Sequence, residues 1–185
     1  MYEKSSHKVA FQSAGLPGCV VCHGNHGIIH PTDAKLGTGP QGVCLQCHTP
    51  GDSCDLARAD MFTSLIRLDE AIRNAHNLLG VAESSGMEVS QARLEEDQAR
   101  DALTKARVTI HSFRTDLVDR DIQEGLRLAA KNLQAGKSAL AERDYRRRGL
   151  GYALVFILLT VLGLFFYIRQ IERHARKAGR AGELV

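Results

Sequence analysis

The chain has 185 residues and a formal net charge of +3, with 24% charged and 44% hydrophobic residues. This balance argues against nucleic-acid binding, which needs a concentrated basic surface, and the length allows one modest domain or two small ones. The distribution along the chain says more than the totals.

Residues 1–55 read as a loop-rich head. All four prolines (Pro17, Pro31, Pro40, Pro50) lie in the first 50 residues, with five of the eight histidines and four of the five cysteines. After Gly51 there is no proline, so the rest of the chain is compatible with long helices. The head holds eight glycines and, beyond Tyr2, a single aromatic, Phe11. A segment so short and glycine-rich buries too little surface to fold unaided. It needs a staple, a metal or a large cofactor.

Cys19-Val20-Val21-Cys22-His23 and Cys44-Leu45-Gln46-Cys47-His48 both read C-x-x-C-H, the attachment pattern of haem c. Two cysteines three apart reach the two vinyl groups of one porphyrin, and the next histidine is held beneath the iron as its proximal ligand. Two motifs predict two covalent haems on Cys19, Cys22, Cys44 and Cys47, with His23 and His48 on the irons. The porphyrins then become the core that the head lacks. Zinc is the main rival, because two C-x-x-C pairs with 21 residues between them approach a zinc-ribbon spacing. A four-cysteine zinc site has no need of a histidine after each pair. Histidine is 8 of 185 residues. Chance would place it at both positions in about one sequence in five hundred. A pair of disulfides is the remaining alternative.

On Ser6-His7, Cys22-His23-Gly24-Asn25-His26 and the second motif ending at His48, residues 5–50 resemble the low-potential multihaem cytochromes c. The resemblance implies close-packed haems with two histidines on each iron. It also implies that a histidine just after a motif, or upstream of the first one, serves as a distal ligand. His26 and His7 fall in those places. The helical part from Asp55 onward is similar to the C-terminal part of membrane-anchored cytochromes of this kind.

Two haems need two distal ligands. His111 is a third candidate, on a predicted helix beside Ile110 and Phe113, where the plainer reading is a partly buried polar residue. His30 precedes Pro31 and reads equally as a turn residue, and His76 completes the set. His174 is excluded by lying beyond the apolar span described below. Met61 and Met87 fall in or near helices, away from the motifs. Cys54, the odd cysteine, is expected to be a free thiol.

From Leu56 to Ala82 the apolar residues Leu65, Leu68, Ile72, Ala75 and Leu79 follow helical spacing. Gly86 breaks the pattern. It resumes at Leu103, Ala106, Ile110, Phe113 and Leu117 and continues through Ile122, Leu126, Ala129, Leu133 and Leu140. Such narrow seams, with charged outer faces at Glu95-Glu96-Asp97 and Arg100-Asp101, predict an antiparallel helical hairpin or bundle over 56–148. Nothing in it looks catalytic.

Leu150–Ile168 is a run of 19 residues without charge. As a helix it is about 28 Å long, against a hydrocarbon core of about 30 Å. Tyr152 and Tyr167 sit near its ends, where interfacial aromatics belong. A single transmembrane helix is expected over 149–170, with a tail over 171–185. Arg146, Arg147 and Arg148 precede the run; Arg169, Arg173, Arg176, Lys177 and Arg180 follow it. That asymmetry mildly favours a cytoplasmic C-terminus. Covalent haem is attached outside the cytoplasm, which puts the head on the periplasmic side of the inner membrane. No apolar export signal follows Lys4–Lys8, so the reading expects a removed upstream segment or a start at an internal methionine.

The expected fold is therefore mainly α: a loop-rich dihaem c-type head, a helical stalk and one C-terminal transmembrane helix. The expected function is electron transfer, as a membrane-anchored subunit of a respiratory or other redox complex rather than an enzyme in its own right. The expected partners are other subunits of that complex, among them a quinol-oxidising one, and the lipid bilayer. A haem-based periplasmic reductase is one alternative, but it needs an open iron site that the surplus histidines argue against. A redox sensor is the other, but too few residues follow the span for an output domain.

Overall fold

A computed structural model describes residues 1–28 and 30–182, with side chains described as far as 173. His174 and most of the expected tail therefore lie outside the described side chains. The mainly α class expected from the sequence is the one found, and no strand occurs among the described residues. The helices are α1 (Ser6–Ser13), α2 (Gly18–His23), α3 (Ser53–Ser84), α4 (Ser90–Thr109) and α5 (Thr115–Gly182), with short 3-10 turns between some of them. The chain divides into two compact units, Met1–Ala139 and the remainder from Leu140.

In the first unit, α3, α4 and the start of α5 pack as a three-helix bundle. The Asp52 side chain caps α3, accepting from the Asp55 backbone N–H at 2.8 Å. Gly86, at φ 78°, follows the C-cap of α3 where the sequence pattern breaks. Leu65, Leu68, Ile72, Ala75 and Leu79 are all buried, as their spacing predicts. Ala99, Leu103 and Ala106 of α4 and Val118, Ile122 and Ala129 of α5 complete the core. Lys105 pairs with Asp121 at 2.8 Å and Lys131 with Glu95 at 2.7 Å, so α4 and α5 run antiparallel.

Two features depart from the sequence pattern. The spacing predicts one seam through Ile110 and Phe113, but the chain reverses there. Ile110–Ser112 is a 3-10 turn, and Phe113 ends it in the left-handed region at φ 54°. On α5 the most deeply placed positions are Gly125 and Asn132 as well as Ile122 and Ala129, while Leu126 and Leu133 are only half-buried. The helices approach so closely that a Cβ on Gly125 would lie 2.7 Å from Leu68 Cδ2. A leucine cannot occupy that line of contact.

The head folds against this bundle instead of around a core of its own. Among its described residues up to Gly51, only Ser5, Leu36 and Gly37 are buried. Its central turn, Asp33–Leu36, is clamped from two helices. Arg58 of α3 donates to the Leu36 carbonyl at 2.5 Å, and Arg107 of α4 grips Asp33. The following loop is closed by Gly42, where a Cβ would fall 2.2 Å from the Gly37 carbonyl oxygen.

The second unit continues α5. Its apolar run, Leu150–Ile168, is exposed throughout. The most apolar stretch has a mean hydropathy of 2.4, and none of it is buried. This helix is long and apolar enough to cross a membrane.

Candidate functional site

The two motifs are held in different ways. Cys19-His23 lies on α2, which follows Pro17 and ends at Gly24 with φ 74°. The helix brings Cys19 and Cys22, one turn apart, to one face. The Lys35 ammonium donates to the Cys22 carbonyl at 3.1 Å, tying this motif to the clamped turn. Cys44–Gln46 is a 3-10 turn, and the His48 N–H donates back to the Cys44 carbonyl at 3.1 Å. His48 therefore sits at the entrance to α3, four residues before the cap at Asp52.

All five cysteines are free; Cys19 and Cys47 are exposed. Burial raises the pKa of the Cys22 thiol against the opposing Lys35 ammonium. The motif sulfurs do not gather into a zinc-sized cluster among the described residues. The cluster that does form is His48, Asp52 and Cys54, whose ligand atoms lie within 4.8 Å of one another.

Each motif histidine faces one other histidine. The rings of His7 and His48 have centroids 5.9 Å apart, and those of His23 and His111 are 6.0 Å apart with planes inclined by 16°. His7 comes from the first turn of α1, and His111 from the turn between α4 and α5. No family model matches the chain, and no curated protein or solved structure is significantly similar to it.

The arrangement fits the group that the motifs imply. Metal–imidazole bonds run about 2 Å, so two imidazoles that approach one metal from opposite sides have ring centres about 6 Å apart. Burial, and then the neighbouring His48, lower the pKa of His7. Burial, then Lys35 and His111, lower that of His23. Both effects favour the neutral ring, which is the ligating form. The His111 Nδ1 lies 3.1 Å from the Val108 carbonyl. Donation there puts the hydrogen on Nδ1 and leaves the Nε2 lone pair free. The His7 Nδ1 is buried without a protein partner. Val9 and Ile28 stand exposed in the head, apolar surface with nothing of the protein to cover it.

His26 and His30 are exposed, and neither makes a ring contact with a motif histidine among the described residues. Left-handed Gly24 and Gly27 flank the His26 segment. His76 is taken up in a hydrogen bond with Glu96 between α3 and α4, Nδ1 to Oε1 at 2.8 Å. Met61 is in the bundle core. Phe113, expected from the sequence in the apolar seam, lies with its ring 3.8 Å from that of His7 between centroids. Lys35 and Asp52 were not singled out by the sequence. The cap signature at Asp52 was readable from Asp52-Ser53 ahead of the apolar seam; its proximity to His48 was not.

Proposed function

We propose that the chain is a dihaem c-type cytochrome that transfers electrons, with Cys19 and Cys22 carrying one haem and Cys44 and Cys47 the other. The reading rests on one observation above all: each C-x-x-C-H histidine is matched with a single second histidine at a ligand-sharing distance. His23 and His111 would hold the first haem, and His48 and His7 the second. Bound there, the haems supply one-electron chemistry. The protein's own residues fix the ligands, exclude an open coordination site and set the separation of the two groups. With two histidines to hold each haem, the chain would offer a substrate no ligand position, which favours a carrier over a reductase.

The exposed apolar helix supports a membrane anchor, and the need to attach haem outside the cytoplasm supports a periplasmic head with a cytoplasmic C-terminus. A membrane redox complex, including a subunit that oxidises quinol, is the partner this arrangement suits. Pyridine haemochrome analysis of the purified chain is expected to give two covalent haems. His7→Ala and His111→Ala are each expected to turn one haem high-spin, and a different one in each case. His26→Ala is expected to leave both low-spin. Haem extracted by acidified organic solvent, or low-spin spectra in both single variants, overturns the reading.

A further inference from the structure

We infer that Asp52 is the positioning residue for His48: its carboxylate faces the Nδ1 of this ligand and lowers the reduction potential of the second haem alone. The inference rests on the dihaem reading and adds a residue that controls one of its two sites. The Asp52 Oδ2 lies 3.4 Å from the His48 Nδ1, long for a hydrogen bond but close for a charge. The carboxylate is itself fixed. Its Oδ2 accepts from the Thr49 N–H at 3.1 Å, and its Oδ1 accepts from the Asp55 N–H at 2.8 Å as the cap of α3. Held by these two backbone donors, the carboxylate presents a fixed acceptor and charge to the His48 ring.

A histidine whose Nδ1 hydrogen points at a carboxylate is held in one tautomer, with Nε2 as the coordinating atom and with greater basicity. A more basic ligand favours the oxidised metal. His111, on the other pair, has a neutral backbone carbonyl in the corresponding place. The two sites thus differ in the charge beside their histidines: an anion at His48, against a peptide dipole at His111 and the Lys35 ammonium near His23. The potentials of two otherwise similar haems would be separated by that difference, the second lying lower because of Asp52.

The capping role and the charge can be pulled apart, because Asn and Ser cap helices about as well as Asp. Spectroelectrochemical titration of the full holo-chain is the test, with Asp52→Asn, Asp52→Ser and Asp52→Glu. The two neutral caps are expected to raise one midpoint by about tenfold in its equilibrium constant, equivalent to about 59 mV for one electron. The other midpoint stays, and the melting temperature changes little. Asp52→Glu keeps the charge and is expected to hold the midpoint near wild type while lowering the melting temperature. A shift in the low-spin ferric g-values of one haem only should accompany the neutral variants. If both midpoints stay fixed in Asp52→Asn while both haems remain bound, the role of Asp52 fails and the dihaem reading stands. If the wild-type chain carries no covalent haem, both fall.

Discussion

Asp33 and Arg107 meet through two parallel hydrogen bonds, Nε to Oδ1 at 2.9 Å and Nη2 to Oδ2 at 2.7 Å, across 74 residues of chain. This fork joins the turn between the two cysteine motifs to α4, the helix that leads into His111. Paired charges of this geometry are stronger than single-contact pairs. Arg107→Ala is expected to lower the stability of the first unit by about 1 kcal/mol and to open the 33–42 loop to protease. Limited proteolysis with mass spectrometry reads both the rate and the site. Cleavage at wild-type rate would mean that Arg58 alone holds the loop.

A chain ending at Ala139 is expected to fold without detergent, because Met1–Ala139 is a compact unit with its own core. It should remain in the supernatant after ultracentrifugation and keep the circular dichroism of a helical bundle. The full chain should pellet with membranes. A soluble full-length chain would remove the case for an anchor.

Asn132 is 1% exposed, and neither its amide nitrogen nor its amide oxygen has a protein partner. A buried amide left without hydrogen bonds costs about 1–3 kcal/mol. Asn132→Ala removes the amide without adding bulk and is therefore expected to stabilise the first unit by about 1 kcal/mol. Gly125→Ala should act in the opposite sense, by about 1–3 kcal/mol, since its Cβ would meet the Leu68 methyls at 2.7 and 2.9 Å and the Ala102 Cβ at 3.2 Å. Urea melts of the Ala139-terminated chain give both values, and equal midpoints for the two variants would contradict the packing described.

Glu96 is buried, with Arg93 Nη1 at 2.9 Å, Arg100 Nη2 at 2.5 Å and His76 Nδ1 at 2.8 Å. Burial opposes its ionisation, but the hydrogen bonds from Arg100, His76 and Arg93 outweigh it and hold the carboxyl below its ordinary range. The folded value therefore lies below the unfolded one, about 4.3. The contribution is complete above that pH and is lost as pH falls through the folded value. Glu96→Gln should destabilise the bundle by about 1–3 kcal/mol at neutral pH, with the gap to wild type closing as the solution is acidified. Thermal melts from neutral to acid pH test this, and a constant gap would sink it.

The bundle was legible where its residues obey one rule. Leu65 to Leu79 face a single seam, so spacing alone predicted their burial. α5 was harder because it touches two helices. Its line of closest approach is set by Gly125 and the buried Asn132, which a search for apolar residues passes over. The reversal at Phe113 carries neither proline nor glycine, so no local signal marks it. In the head, the cysteine and histidine spacing announced the motifs. Which histidine ring each motif histidine faces depends on where α1 and the α4–α5 turn come to rest, and no spacing along the chain announces that.

Phe113 is the only described non-glycine residue with a positive φ, and its ring packs on His7. A large aromatic side chain pays in backbone energy to sit there, by roughly 1 kcal/mol or more. Glycine would relieve that strain and remove the ring. At this position the residue best for stability and the residue best for holding the histidine are different, and selection on melting temperature alone would drift away from the one the chain carries.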